Sequence, residues 1–220
     1  MGKAVDENKI TLYHGSEKIL KAPEFGKGEI YNDYGQGFYC TKHKPLAGEW
    51  AVLWTGRDGY INEYSFDYSG LKVLYLNQMP VEHWIAVLIA NRRGNYEKGY
   101  QKRMNNFINK YLIDISDYDV IEGWRADDAY YSYIEDFLAI NLSLEKMMEA
   151  MKFGDLGNQI CLKSKKAFGF IKFIKHYPAL ASCFYQSAKE RDQSAKQRYW
   201  RMQDTTEGTL LIDLIGRDNL

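Results

Sequence analysis

The sequence predicts an α+β domain, on three observations. Strand-like alternation and helix-like spacing both recur along the chain, the two do not alternate as regular strand-helix units, and no G-x-G-x-x-G run opens a helix. A doubly wound nucleotide fold therefore has no support. At 220 residues, 45% hydrophobic and 26% charged, the chain has apolar material for one well-buried core with a small addition.

In chain order, Ile10 to Tyr13 reads as a short strand ending in His14-Gly15-Ser16, where glycine permits close approach of a ligand. Glu17 to Gly35 holds Pro23, Gly26, Gly28 and Asn32 among aromatics, which predicts a long ordered loop. Gly37 to Thr41 (GFYCT) is a second strand. Lys44 to Thr55 follows as a helix with Ala47, Trp50, Ala51 and Trp54 at helical spacing. Tyr60 to Asp67 and Leu71 to Leu76 alternate on either side of Ser69-Gly70, so a hairpin or meander is expected. Pro80 to Asn91 and Gln101 to Tyr111 read as helices, the first opened by its proline.

Tyr118 to Ile121 has a buried-strand pattern, and Glu122 to Asp128 (EGWRADD) reads as a polar turn. Helices follow at about Tyr130 to Ile140 and at Ser143 to Met151, with Ser143 as a cap. Gly157 to Lys163 is the last core strand, and Ser164 is expected to cap a helix through Ile174 whose Ala167, Phe168, Ile171 and Ile174 share a face. Beyond it lie a highly charged helix, Ser187 to Met202, and a short apolar end, Leu210 to Ile215.

Lys plus Arg equals Asp plus Glu at 29 each, so no global field favours nucleic acid or an anionic membrane. Cys40, Cys161 and Cys183 are odd in number and contain no CxxC, and His43, His83 and His176 have no metal-ligand spacing. Neither a disulfide framework nor a metal site is expected. Nothing reads as a leader or an apolar span, which makes the cytoplasm the expected location. The 18 tyrosines suit a wet cleft, because each ring has an apolar body and a polar tip.

Three marks fall on separate short strands: Tyr13-His14-Gly15-Ser16, Gly35-Gln36-Gly37-Phe38-Tyr39 and Gln159-Ile160. An imidazole can bond ribose hydroxyls, a phenol ring can stack on a base, and glycines let main-chain groups reach a nucleotide. The plainer alternative makes His14 a satisfied strand-end histidine and Tyr39 a core ring.

The run from LYHGS through DYGQGFYCT to Ala47-Gly48-Glu49-Trp50-Ala51 resembles a bacterial family of uncharacterised domains, DUF3990, which looks like a divergent branch of the ADP-ribosyltransferase superfamily. DVIEGWRADDAY resembles that family's downstream strand and acidic turn, and LGNQICLKSKKAFGFIKF its closing strand and helix. The resemblance covers residues 9–175 as an ADP-ribosyltransferase-like domain and leaves 178–220 as a C-terminal helical appendage. It implies a split mixed or antiparallel sheet with flanking helices, and NAD as substrate in a cleft.

By that resemblance His14 holds the adenosine ribose hydroxyls and Gly15, beside Ser16, presents its backbone to the nicotinamide carboxamide. Tyr39 stacks on the nicotinamide ring, while Gly37 and Phe38 shape the strand entry. The third catalytic position falls at Gln159, where the superfamily pattern has glutamate. Glutamine can bond the ribose 2′-hydroxyl but supplies no charge. Asp127 or Asp128, after Arg125, is the first candidate for a carboxylate from elsewhere, with a helix N-cap before Tyr130 as the alternative role. Glu49 is a weaker candidate, and Arg57, Lys27 and Arg125 are candidates to neutralise the pyrophosphate.

The implied activity is mono-ADP-ribosylation of a macromolecule, protein or nucleic acid, by a bacterial toxin or defence effector with a cognate antitoxin as partner. The alternatives are a noncatalytic NAD or ADP-ribose binding module, an NAD glycohydrolase, and an interaction protein working through Ser187 to Met202.

Overall fold

The computed structural model describes residues 8–53, 55–92, 100–126, 128–154 and 157–216. Among the described residues seven strands form two sheets, which confirms the α+β class. In the first, β1 (Lys9–Ser16), β3 (Gly59–Asp67) and β7 (Ile171–Ala179) are antiparallel in the order β1-β3-β7. In the second, β2 (Phe38–Cys40), β6 (Asn158–Leu162), β5 (Val120–Trp124) and β4 (Val73–Tyr75) run in the order β2-β6-β5-β4, with β4 and β5 parallel.

An isolated bridge links the sheets. Tyr13 N–H donates to the Thr41 carbonyl at 2.8 Å and Thr41 N–H donates to the Tyr13 carbonyl at 2.9 Å. Beyond that pair β1 and β2 part company, which opens a gap between two sheet edges.

The period-2 alternation of a strand sends neighbouring residues to opposite faces, and β5 and β6 feed two cores this way. Val120, Ile160 and Leu162 meet Leu12, Tyr64 and Phe66 between the sheets. Ile121 and Cys161 face the helical layer. That layer contains α2 (Val81–Asn91), α3 (Gln101–Tyr111), α4 (Asp128–Leu138) and α5 (Leu144–Lys152), built around Trp84, Phe107 and Phe137. A third cluster packs Ala47, Ala51 and Val52 of α1 (Lys44–Leu53) on Ile61 and Ala179.

Several expectations are met closely. The helix over 101–111 has the expected bounds. Ser143 caps α5 by accepting from Lys146 N–H at 3.3 Å. The loop between β1 and β2 contains neither helix nor strand.

Three expectations are corrected. The proposed hairpin does not form: β3 pairs with β1 and β7, while β4 lies in the other sheet beside β5. A parallel neighbour needs a crossover, and α2 and α3 supply it between β4 and β5. The polar turn expected from Glu122 instead continues β5 through Trp124. Lys42 Nζ meets the Glu122 carboxylate at 2.9 Å, which lets an acid remain in a buried strand.

The helix expected through Ile174 stops early. Ser164 does accept from Ala167 N–H at 3.1 Å, but α6 is only Lys165–Phe168, and β7 follows. A register shift between Glu63 and Tyr64 interrupts the β3–β7 pairing, and Ile174 is 52% exposed. The irregularity breaks strict alternation, so the apolar spacing mimics a helix. Pro178 fits because β7 is an edge strand.

The C-terminal chain packs on this framework. In α7 (Ala181–Trp200) Ala188 and Ala195 are buried, and Arg191 pairs with Glu49 of α1 at 2.6 Å. In α8 (Leu211–Ile215) Leu211 and Ile215 enter the helical core. No helix among the described residues is long and apolar enough to cross a membrane.

Candidate functional site

A cleft of about 360 Å³ opens where β1 and β2 separate. Its walls bring together His14, Gly15 and Ser16 of β1, Tyr39 of β2 and Gln159 of β6. Trp50 and Arg125 also line it, with Arg125 seated over the Trp50 ring at 4.8 Å. A second lobe of about 400 Å³ shares His14, Asn32 and Tyr39 and reaches Gly37, Phe38 and Lys27. His14 and Tyr39 thus stand between two spaces, each within the range of about 300–1,000 Å³ typical of small-molecule sites.

Backbone geometry explains what Gly15 contributes. Tyr13 directs both its N–H and its carbonyl at Thr41. Because successive residues of a strand point to alternate sides, Gly15 directs the same pair of groups toward the gap two residues later. Gly15 also lies against α1: a Cβ there would stand 1.9 Å from the Ala47 carbonyl oxygen and 2.7 Å from Ala51 N. Gly37 is equally confined, since a Cβ would stand 2.3 Å from Cys161 Sγ. The hydroxyl of Ser16 is committed at the edge, donating to Lys18 O at 2.7 Å and accepting from Asn62 Nδ2 at 3.0 Å.

His14 Nδ1 lies 2.7 Å from the Tyr39 carbonyl. A carbonyl only accepts, so Nδ1 carries the proton and Nε2 is left as an acceptor. The ring rests on Phe38, centroid to centroid 4.4 Å. Burial lowers the imidazole's affinity for a second proton, and the bond to the Tyr39 carbonyl only partly opposes this. Tyr39 donates its hydroxyl to Gly35 O at 2.6 Å and accepts from Tyr34 N–H at 2.9 Å, which fixes the ring from the loop side. Burial holds that hydroxyl well above its ordinary range, so it stays protonated.

The His14 shift gives a stability signature. A histidine whose folded value is depressed stabilises the fold above its unfolded value of about 6.5, and that contribution is lost as pH falls through and below it. Urea midpoints of the wild-type protein should therefore drop between pH 7 and pH 5. His14→Asn, which keeps an N–H for the Tyr39 carbonyl, should flatten the profile. An equally steep profile in the variant would assign the drop to other groups.

Gln159 is buried, and its amide Nε2 donates to Asp33 Oδ2 at 2.5 Å and lies 3.4 Å from Trp124 O. Asp33 comes from the loop before β2 and also lines the cleft. Its Oδ1 accepts from Arg92 Nε at 2.6 Å and its Oδ2 from Ala126 N–H at 2.9 Å. Arg92 further donates to the Ala126 carbonyl. Burial raises the Asp33 carboxyl above its ordinary range, opposed first by the Arg92 guanidinium and then by the Ala126 and Gln159 donors.

The structure separates the other candidates. Asp127 lies outside the described residues, and Asp128 is the first residue of α4. Glu49 is buried in its pair with Arg191, on the α7 side of α1. Of the three cations, Arg125 borders the first lobe and Lys27 the second, while Arg57 borders neither. His83 Nδ1 is held by Tyr111 O at 2.7 Å, His176 edges the Tyr60 ring, and His43 lines a separate hollow with Trp124 and Met148. All three cysteines are free thiols, and burial pushes Cys161 up to about 12. Among the described residues no group of His, Cys, Asp or Glu is arranged to hold a metal ion.

Asp33 and Arg92 are among the cleft residues that sequence reasoning did not single out, with Glu17, Thr55 and Ala126. Asp33 was within reach, because it opens the DYGQGFYCT run. Arg92, the residue after α2, carries no signal in its neighbours.

The family model described as "Protein of unknown function (DUF3990)" matches residues 10–173, about three quarters of the chain. The chain belongs to the DUF3990 family. No curated protein and no solved structure matches it. The DUF3990 span contains His14, Asp33, Tyr39, Arg92 and Gln159, and so every residue of the cleft described above. It ends inside β7, which leaves α7 and α8 beyond the matched DUF3990 region.

Proposed function

We propose that the protein binds NAD in the cleft between its two sheets and cleaves the nicotinamide bond, passing ADP-ribose to one site on a macromolecule. The reading draws its reaction from the resemblance to ADP-ribosyltransferases. One observation supports it in this chain: His14 and Gly15 of β1, Tyr39 of β2 and Gln159 of β6, from three separate strands, line a single cleft where β1 and β2 diverge.

In this reading His14 Nε2 accepts from an adenosine ribose hydroxyl, held ready by the Nδ1 bond to Tyr39 O. The open backbone edge at Gly15 pairs with the carboxamide, and the anchored Tyr39 ring lies against the nicotinamide. Arg125 and Lys27 bring positive charge to the two lobes. The C–N bond breaks with its electron pair leaving on nicotinamide, which becomes neutral, and a cationic sugar carbon is left for the acceptor nucleophile. Little proton transfer is needed to expel such a leaving group. Positioning and stabilisation of developing positive charge supply most of the rate.

A second reading, a noncatalytic NAD or ADP-ribose binding module, is favoured by glutamine at position 159. Incubation with NAD labelled on the adenine side, alone and with lysate divided into protein and nucleic-acid fractions, distinguishes them. The proposed transferase yields free nicotinamide together with label in one fraction. Nicotinamide without labelled acceptor would mean a glycohydrolase, and bound NAD without nicotinamide would mean the binding module.

A further inference from the structure

The Asp33 carboxylate is in hydrogen-bond contact with Gln159, and it comes from a loop residue 126 positions away in sequence. It has three donors: the Arg92 guanidinium, the Ala126 N–H and the Gln159 amide. The first two hold the carboxylate still. The third uses the Gln159 amide nitrogen, and an amide group is planar, so fixing Nε2 also fixes Oε1. Both hydrogen bonds described for this side chain use Nε2, and Gln159 borders the cleft.

We propose that Asp33 and Gln159 work as one carboxylate–amide unit, with Asp33 the positioning residue that turns the Gln159 carbonyl oxygen toward a ribose hydroxyl of NAD. The inference rests on the NAD reading above. An unrestrained glutamine could present either end of its amide, and half of its orientations would aim a donor at the ligand. Asp33 accepts only, so it selects the end that accepts from a hydroxyl. A hydrogen bond from an amide N–H to a carboxylate also polarises the amide and concentrates negative charge on its oxygen. The unit thus presents an electron-rich acceptor where the superfamily pattern has a glutamate. Arg92 keeps the isolated carboxylate from being an uncompensated buried charge.

The test compares binding of NAD with binding of its analogue lacking the nicotinamide-ribose 2′-hydroxyl, by calorimetry on the full chain. The ratio of the two dissociation constants reads the hydroxyl alone and is insensitive to general loosening of the site. Wild type should favour NAD by about 5- to 10-fold, the worth of one good hydrogen bond. Asp33→Asn should bring the ratio close to one. The exchange Asp33→Asn with Gln159→Glu should restore it, because the carboxylate then stands at 159 and an amide donates to it from 33.

A wild-type ratio in Asp33→Asn, or a ratio of one in the exchanged pair, would overturn the unit while leaving NAD binding intact. Should Asp33→Asn alone not fold, the exchanged pair, which restores a carboxylate to the two positions, carries the test against Gln159→Leu, whose ratio should be one. If wild type binds neither ligand, the NAD reading falls and this inference with it.

Discussion

Gly15→Ala should cost the fold roughly 3 kcal/mol, the upper end for forcing extra atoms into a packed interior, and should abolish NAD binding. The added methyl would stand 1.9 Å from the Ala47 carbonyl oxygen and 2.7 Å from the Ala51 nitrogen. Both are backbone atoms of α1, so no side-chain rotation relieves the overlap. The helix must move as a body, away from a cluster in which Ala47, Ala51 and Ile61 are nearly inaccessible to solvent. Trp50 rides on that helix and lines the cleft, so displacement deforms the wall as well as the strand edge. Urea unfolding reads the first effect and calorimetry with NAD the second. Near-normal values of both would mean that α1 yields easily and that the Gly15 edge is not a ligand contact.

Tyr39→Ala should weaken NAD binding by about 5- to 150-fold, taking roughly 1–3 kcal/mol for a base stacked on an aromatic ring. Tyr39→Phe separates the ring from the hydroxyl. The hydroxyl receives Tyr34 N–H and donates to Gly35 O, so phenylalanine leaves two loop groups without partners but keeps the stacking face. It should cost about 1–2 kcal/mol of stability and less than tenfold in affinity. Equal losses of affinity in both variants would show that the loop anchor, not the stack, carries binding. No loss in either would remove Tyr39 from the site.

Local chemistry made part of this legible. The helix over 101–111 and the Ser143 cap depend on contacts within one turn, and both are where short-range pattern places them. His14 and Tyr39 stand out because their neighbours are glycines and short strands, and both line the cleft. Where the pattern depended on a distant partner, it misled. Apolar residues at 167, 168, 171 and 174 have helical spacing, yet β3 offered a long unpaired edge and 171–179 filled it. Backbone groups on an open sheet edge need partners more strongly than a short amphipathic run needs to remain helical.

The α+β class, most of the element types, and the candidacy of His14, Gly15, Tyr39 and Gln159 were all readable before any fold was known. Folding in three dimensions was needed to put β3 and β4 in different sheets, to bridge β1 to Thr41 just after β2 before the strands separate, and to bring Asp33, held by Arg92, onto Gln159. The reason is range. Propensity, capping and alternation are set by residues a few positions apart. The acid in contact with Gln159 is 126 positions away and is found only when β2, β6 and the loop before β2 are folded against one another.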